Sequence, residues 1–241
     1  MEKPYLRKLE DVGVFEIWEV DGMYVRSNLN REFTNFGQHF RFPFIPKHQF
    51  WIDEENSNNE TTYYVNHMLV EWHLMDRGAD YDTAITKADK QEQAERKKSA
   101  LMEKVRTEIT STNTKIPKEV YVHKLTGSES PQIWIVNGEL VRDLYFIDFT
   151  EGGHHFVYDF VPYNKVWLDN DLVPAEREFV LLHELHERYL MFKGMDYNHA
   201  HNSSSYIEYQ CRCNPGLLSK SLEKEITNNA LIKPEFVSAI A

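Results

Sequence analysis

A helical segment late in the chain carries the residues best suited to chemistry. In the segment 181–188, His183 and Glu187 are four positions apart, so on a helix both side chains project from one face about one turn apart. Glu176 lies seven positions before His183 and extends the same stripe. An imidazole and carboxylates on one helix face can hold a divalent cation, and zinc accepts both kinds of ligand.

This segment resembles the active-site helix of the zincin metallopeptidases, which carries the motif His-Glu-x-x-His after an edge strand of a sheet. His183 matches the first metal ligand of the motif, and Glu184 matches the general base that activates water. Position 187 is glutamate where the family has its second histidine. The resemblance therefore implies His183 and Glu187 as a ligand pair, a divalent metal, with zinc the expected ion, and hydrolysis of a peptide-like bond.

A third ligand is expected from the following helix, and two residues qualify. Glu208 is the choice that the resemblance implies, because the glutamate-type zincins take this ligand from a later helix. His201 is the choice that ligand chemistry favours, since an imidazole is the better zinc ligand beside a carboxylate. Two plainer interpretations stay open: Glu208 pairs with Arg212 four positions on, and His183 with Glu187 forms a structural hydrogen-bonded pair.

The chain is an internal duplication, which supplies a comparison for each of these residues. At an offset of 116 positions, residues 5–96 align with residues 121–212 without a gap, and about 30 of roughly 92 pairs are identical. A repeat of this length is a domain and not one unit of a solenoid. Residues kept in both copies are expected to serve the shared fold, and residues found in one copy only are candidates for its chemistry.

The first copy keeps the stripe but lacks the other reactive groups. Glu60, His67 and Glu71 stand at the three equivalent places. Three further positions differ, with Met68 in place of Glu184, Val70 in place of His186 and Ile85 in place of His201. Because hydrolysis needs a base beside the attacking water, we expect the first copy to be non-catalytic.

Turn signals and hydrophobic periodicity predict the elements that position these residues. Asp21-Gly22 and Asn137-Gly138 lie between β-rich runs and predict hairpin turns, and short strands are expected around 51–53 and 167–169. Two helices should follow each sheet; in the second copy they run from near Pro174 to Gly194 and from about 198 to 212. The predicted fold class is α+β, as two homologous domains, each a small antiparallel sheet packed on two helices.

These signals divide the chain into four segments. Residues 1–98 form the first repeat, 99–116 a helical extension and linker, 117–216 the second repeat, and 217–241 a C-terminal tail with a helical opening followed by Pro234.

One further element recurs between the predicted strands. Gly37 and Gly153 each precede a histidine by two positions, His39 and His155, which suggests a close backbone approach that aims the imidazole. Such a histidine would complete a site as a ligand or an electrophile. A partly buried ring bonded to a backbone carbonyl is the simpler interpretation.

Composition argues against several classes of partner. The formal charge of -11 and the pI near 5.5 disfavour nucleic acid, an anionic membrane and therefore a nuclease. Without a long apolar run or an apolar signal region, a cytoplasmic, soluble protein is expected. Cys211 and Cys213 are too close for an easy disulfide and are read as idle thiols.

Two functions from different classes follow from these observations. The first is a zincin-like metal-dependent hydrolase with its site in the second repeat, where Glu184 is the catalytic base and the ligands come from His183, Glu187, His201 and Glu208. The second is a non-enzymatic structural or protein-interaction module, whose two copies present an acidic surface to a protein or peptide partner.

Overall fold

A computed structural model describes residues 3–56, 59–112, 116–125 and 130–232 of the chain. Within these residues, both repeats have the same element order of two strands, a helix, two strands and three helices. The first repeat contains β1 (Tyr5–Val12), β2 (Phe15–Val20), α1 (Gly22–Asn28), β3 (Phe36–Gln38), β4 (Gln49–Asp53), α2 (Thr61–Asp76), α3 (Tyr81–Arg96) and α4 (Ala100–Thr112). The second repeat contains β5 (Tyr121–Lys124), β6 (Gln132–Val136), α5 (Gly138–Leu144), β7 (Gly152–His154), β8 (Lys165–Asp169), α6 (Arg177–Phe192), α7 (Tyr197–Cys213) and α8 (Leu218–Asn229).

Each repeat builds one four-stranded sheet, in the orders β1-β2-β4-β3 and β5-β6-β8-β7. The outer pairs of strands are antiparallel, but the central pairs β2–β4 and β6–β8 are parallel. The predicted α+β class with a sheet packed on helices is therefore confirmed, although the sheets are mixed and not purely antiparallel. The parallel pairing arises because a helix and a strand intervene between β2 and β4, and parallel neighbours need such a crossover.

The Asp21-Gly22 and Asn137-Gly138 pairs begin helices, so the prediction of hairpin turns at these places was wrong. Asp21 is the N-cap of α1, and its Oδ1 accepts a hydrogen bond of 2.7 Å from the backbone N–H of Tyr24. Asp and Asn favour helix N-caps as well as turns, and a dipeptide does not distinguish the two. The first repeat still begins with a hairpin, but its turn lies at Gly13, which has a positive φ of 61°.

The glycine after each cap is required by a buried carboxylate. A Cβ atom on Gly22 would lie 1.8 Å from the carboxylate of Asp53, and one on Gly138 would lie 1.9 Å from that of Asp169. Only glycine lets these aspartates reach the start of α1 and of α5, which explains why both pairs are kept in the duplication.

The helices after each sheet lie close to their predicted positions. Gly78 and Gly194 follow α2 and α6 with a φ of 90°, as expected of glycines that terminate helices. Asp80 and Asp196 then cap α3 and α7. α4 lies in the predicted helical extension and α8 in the predicted tail, where Pro234 is outside the described residues.

The chain divides into two compact units, the first comprising Met1–Pro117 and Glu139–Asp148 and the second comprising Lys118–Gly138 and Phe149–Ala241. Most of α5 thus belongs to the first unit. There Arg142 Nε donates to Glu60 Oε1 at 2.7 Å, and Ser99 donates to Asp143 at 2.8 Å.

The hydrophobic core of the second unit fixes α6 against the sheet. Ile135 and Leu168 on the strands pack with Leu182 and Leu185 on α6 and with Leu222 on α8. Burial of each such side chain contributes about 1.5–3 kcal/mol. The polar face of α6 is therefore held in one orientation.

Two expectations from composition concern other parts of the chain. Among the described residues, no helix combines the length and apolarity needed to cross a bilayer. Cys211 is buried, Cys213 is exposed, and both thiols are free.

Candidate metal centre

The second unit brings together three polar side chains from two successive helices. α6 carries His183 and Glu187, and α7 carries His201. The connection between the helices is short, because Gly194 ends α6 and Asp196 caps α7. This connection places the first turns of α7 beside the last turns of α6.

Three atoms of this cluster face one another. His183 Nε2 lies 3.2 Å from His201 Nδ1, His201 Nδ1 lies 2.9 Å from Glu187 Oε2, and His183 Nε2 lies 3.6 Å from Glu187 Oε2. The side chain of Glu187 is 3% exposed, whereas that of His201 is 33% exposed, so the cluster meets solvent on the α7 side. His183 and Glu187, the predicted ligand pair, are thus in contact with His201, one of the two predicted third ligands.

The spacing of these atoms fits a tetrahedral cation. Ligands about 2.0–2.1 Å from a zinc ion lie about 3.3–3.4 Å from one another in a regular tetrahedron. The observed separations of 2.9, 3.2 and 3.6 Å scatter around that value. A circle through the three atoms has a radius of about 1.9 Å, so these residues would hold an ion at zinc–ligand distance.

Glu208 lies on the other nitrogen of the His183 ring and not among the three facing atoms. His183 Nδ1 is 2.9 Å from Glu208 Oε2, and because an ionised carboxylate only accepts, Nδ1 carries the proton. In the neutral form of the ring, the lone pair of Nε2 faces the cluster. Arg212 Nε donates to the second oxygen of Glu208 at 2.9 Å. Glu208 has the geometry of an outer carboxylate that orients a metal-binding histidine, and the predicted pair with Arg212 is also present.

The first unit contains the same hydrogen bonds among a histidine, a glutamate and an arginine. His67 Nδ1 is 2.8 Å from Glu92 Oε2, Arg96 Nε donates to Glu92 Oε1 at 2.7 Å, and Arg96 also bonds Glu60 at 2.8 Å. In the second unit Arg212 likewise bonds Glu176, at 2.7 Å. The retention of these residues in both copies therefore has a structural reason. What the second copy adds is His201 and Glu184.

The charges of the cluster shift the pKa values of its two α6 members. Burial lowers the pKa of His183, but hydrogen bonds to Glu187 and Glu208 outweigh burial and raise it well above its ordinary value. Burial raises the pKa of Glu187, but hydrogen bonds from His154, His183 and His201 outweigh burial and hold it well below its ordinary range. Glu187 is thus ionised at neutral pH, as a metal ligand must be.

Glu184 is the buried acid of the cluster. It is 8% exposed, its Oε2 has no hydrogen-bond partner, and burial together with the charge of Glu187 raises its pKa to about 8. Its carboxylate lies within 4.8 Å of donor atoms of His154 and Glu187. Gly152 leaves room for the Glu184 side chain, because a Cβ atom on residue 152 would lie 3.1 Å from Glu184 Cγ. In the first repeat Phe36 and Met68 occupy these two places.

His154 is a member of the cluster that the sequence analysis did not select. It is fully buried on β7, and its Nε2 lies 3.2 Å from Glu187 Oε1. Its Nδ1 faces the backbone N–H of Phe156 at 3.3 Å and therefore accepts, which leaves the proton of the neutral ring on Nε2. Burial lowers the pKa of His154, which favours this neutral ring. His154 thus places an N–H group beside one oxygen of Glu187 and leaves the other oxygen for a cation.

The two retained histidines after Gly37 and Gly153 lie outside the cluster. His39 Nδ1 meets the backbone carbonyl of Ile45 at 2.7 Å, as the simpler interpretation predicted. His155 has no hydrogen-bond partner at either nitrogen. Each glycine instead leaves room for an aromatic ring. A Cβ atom on Gly37 would lie 2.6 Å from the ring of Phe42, and one on Gly153 would lie 2.5 Å from the ring of Tyr158.

Comparisons of this chain with protein-family models, with curated proteins and with solved structures found no match.

Proposed function

We propose that the second unit is a mononuclear metal-dependent hydrolase that acts on a peptide-like bond. Its inner ligands are His183 Nε2, Glu187 Oε2 and His201 Nδ1, with zinc as the expected ion. The observation that carries the proposal is the mutual spacing of these three atoms, which matches the edge of a coordination tetrahedron. Three protein ligands and an open fourth position are typical of catalytic zinc.

The outer residues surround the ligands with groups that suit a bound cation. Glu208 holds a proton of His183 on Nδ1, and His154 Nε2 lies beside the Glu187 oxygen that faces away from His201. The raised pKa of His183 means that its ring also carries a proton on Nε2 at neutral pH when no ion is bound. A bound cation would displace that proton and the one that His201 Nδ1 shares with Glu187, so binding would release protons.

Glu184 is the residue of this chain suited to moving a proton in the reaction. A divalent ion in the site supplies the polarisation of a carbonyl group and the acidification of water. The positive charge of the ion favours the ionised form of Glu184, which then takes a proton from the attacking water and returns it to the leaving nitrogen. The burial of Glu184 excludes competing solvent from this carboxylate.

A substrate would reach the cluster from its α7 side. His201 is the most exposed of the three ligands, and the ring of Tyr197 stacks on it with centroids 5.4 Å apart. Tyr197 is 45% exposed, so solvent reaches the α7 side of the cluster. The expected substrate is therefore a segment of peptide laid across the start of α7.

The test combines metal analysis with assays of a fluorogenic peptide library. Glu184→Gln is expected to keep the metal and to lower kcat/KM by about 10²-fold or more, because it removes the base and no ligand. Met68→Gln at the equivalent place of the first repeat is the matched control and should leave activity unchanged. Full activity in Glu184→Gln, or an absence of peptide cleavage by the metal-loaded wild type, would refute the hydrolase.

A further inference from the structure

A second cluster of reactive groups lies on a neighbouring face of α6. It shares no residue with the proposed ligands His183, Glu187 and His201. His186 Nε2 is 3.1 Å from the hydroxyl oxygen of Ser203 on α7. His186 Nδ1 is 3.1 Å from Glu225 Oε1 on α8. A hydroxyl hydrogen-bonded to an imidazole, with a carboxylate at ion-pair distance from the other ring nitrogen, has the order of nucleophile, base and orienting acid.

The carboxylate sets the tautomer of His186. Glu225 is 1% exposed, and its second oxygen accepts a hydrogen bond of 3.1 Å from Asn228. Burial raises the pKa of Glu225, but the nearby His186 ring and the hydrogen bond from Asn228 outweigh burial and lower it, so the carboxylate is ionised. An ionised carboxylate only accepts, which places the proton on His186 Nδ1 and leaves the Nε2 lone pair to accept from Ser203.

The cluster is absent from the equivalent places of the first repeat. Val70 stands in place of His186, and Lys87 stands in place of Ser203. The shared fold therefore does not require these groups, although both repeats have a third helix at this point of the order. The neighbouring serine of α7, Ser204, is buried and donates to the backbone carbonyl of Ala200, so it has no base beside it.

We propose that Ser203 is a nucleophile activated by His186 and Glu225, and that it reacts with carbonyl groups of carboxylic esters. Ser203 Oγ forms a bond to the acyl carbon while the Oγ proton passes to His186 Nε2. The bond from the acyl carbon to the alcohol oxygen breaks, and the alcohol leaves with that proton. Water then attacks the acyl-serine with the same base, so that ester and water give acid and alcohol.

The experiment uses a fluorophosphonate probe on the full-length protein, with the site of modification found by peptide mass spectrometry. The probe reports the first half of the reaction, since Ser203 Oγ bonds to phosphorus, fluoride leaves and His186 takes the proton. Labelling is expected at Ser203, and His186→Gln or Glu225→Gln should slow it by about 10²-fold or more. Ser204→Ala is the control and should label at the wild-type rate, with circular dichroism confirming that each variant is folded.

Two outcomes would overturn this proposal. In the first, the probe labels Ser203 no faster than it labels exposed serines elsewhere in the protein, and Ser203→Ala hydrolyses p-nitrophenyl acetate at the wild-type rate. The other is labelling that disappears after treatment with a chelator or in His201→Ala, because the reactivity would then belong to the metal cluster. Labelling that persists in metal-free protein supports the proposal independently of the metal-dependent hydrolase.

Discussion

Gln38 and His154 occupy equivalent places in the two repeats and accept the same backbone hydrogen bond. Gln38 Oε1 accepts from the backbone N–H of Phe40 at 2.7 Å, as His154 Nδ1 accepts from that of Phe156 at 3.3 Å. Gln38 Nε2 donates to Met75 Sδ at 3.9 Å, whereas His154 Nε2 lies 3.2 Å from Glu187 Oε1. Because Nδ1 accepts, the neutral ring carries its proton on Nε2, so His154 presents an N–H group to Glu187 and not a lone pair to a metal.

His154→Gln is therefore expected to leave zinc affinity within a few-fold of the wild type, because glutamine keeps an acceptor for the Phe156 N–H and an N–H group near Glu187. His154→Leu removes the N–H group beside Glu187 and should weaken binding by about 10–100-fold. Isothermal titration calorimetry with zinc on metal-free protein measures both variants. Equal losses in His154→Gln and His154→Leu would mean that the imidazole itself holds the metal.

Glu184 and Gly152 replace a methionine and a phenylalanine of the first repeat, and this replacement should cost stability. Glu184→Met removes a buried carboxyl group with an unpartnered oxygen, so we expect it to raise the free energy of unfolding of metal-free protein by about 1–3 kcal/mol. Urea denaturation measures the change. A destabilised Glu184→Met protein would show that the carboxyl group has a stabilising partner.

The first repeat retains two counterparts of the inner ligands, His67 and Glu71, but has Ile85 where the second has His201. Ile85→His should therefore add a second, weaker equivalent of bound zinc, because it restores the missing nitrogen. Ile85→Asn, which supplies no imidazole, is the matched control. Calorimetry counts the sites, and an unchanged stoichiometry in Ile85→His would contradict the assignment of His201 as the decisive ligand.

His155 should make stability depend on pH below neutrality. Burial, with Arg188 and His154 nearby, lowers its pKa from 6.5 to about 3. The unfolded chain then binds more protons, so stability is complete above pH 6.5 and falls as the pH decreases towards 3. His155→Phe should remove part of this loss, on the order of 1–2 kcal/mol near pH 4.5 after allowance for partial exposure.

The control for His155→Phe is His39→Phe, the equivalent change in the first repeat. His39 bonds the carbonyl of Ile45 through Nδ1, so a protonated ring keeps its partner there. Urea denaturation at several pH values compares the two variants. Parallel pH profiles for the wild type and His155→Phe would remove this residue as a source of acid sensitivity.

The duplication and the helical stripe made much of the fold and half of the candidate site predictable. Periodicity and terminating glycines located α6 and α7, and the residue types on their facing sides selected His183 and Glu187, with His201 or Glu208 as third ligand. The choice between the last two came from the structure, which places Glu208 on the outer nitrogen of His183. These signals are local in the sequence. Because a short connection joins α6 and α7, residues selected on the two helices also lie close together in the fold.

What the sequence did not provide were hydrogen-bond roles between elements that are distant in the chain. His154 was missed because its equivalent is Gln38, so no imidazole is kept at this position, and its contact with Glu187 joins elements that are distant in the chain. The Asp21-Gly22 pair failed as a hairpin signal because the choice between turn and N-cap depends on the buried carboxylate of Asp53. The central parallel pairs depend on the same kind of long-range contact.

The most direct measurement is the zinc content of protein purified without an affinity tag, incubated with zinc and dialysed, for the wild type and His201→Ala. Because His201 is partly exposed, its removal should leave the fold intact and take away one of three ligands. The account predicts about one equivalent of zinc in the wild type and less than about a tenth of an equivalent in His201→Ala. A wild type without zinc, or equal zinc in the two proteins, would contradict it.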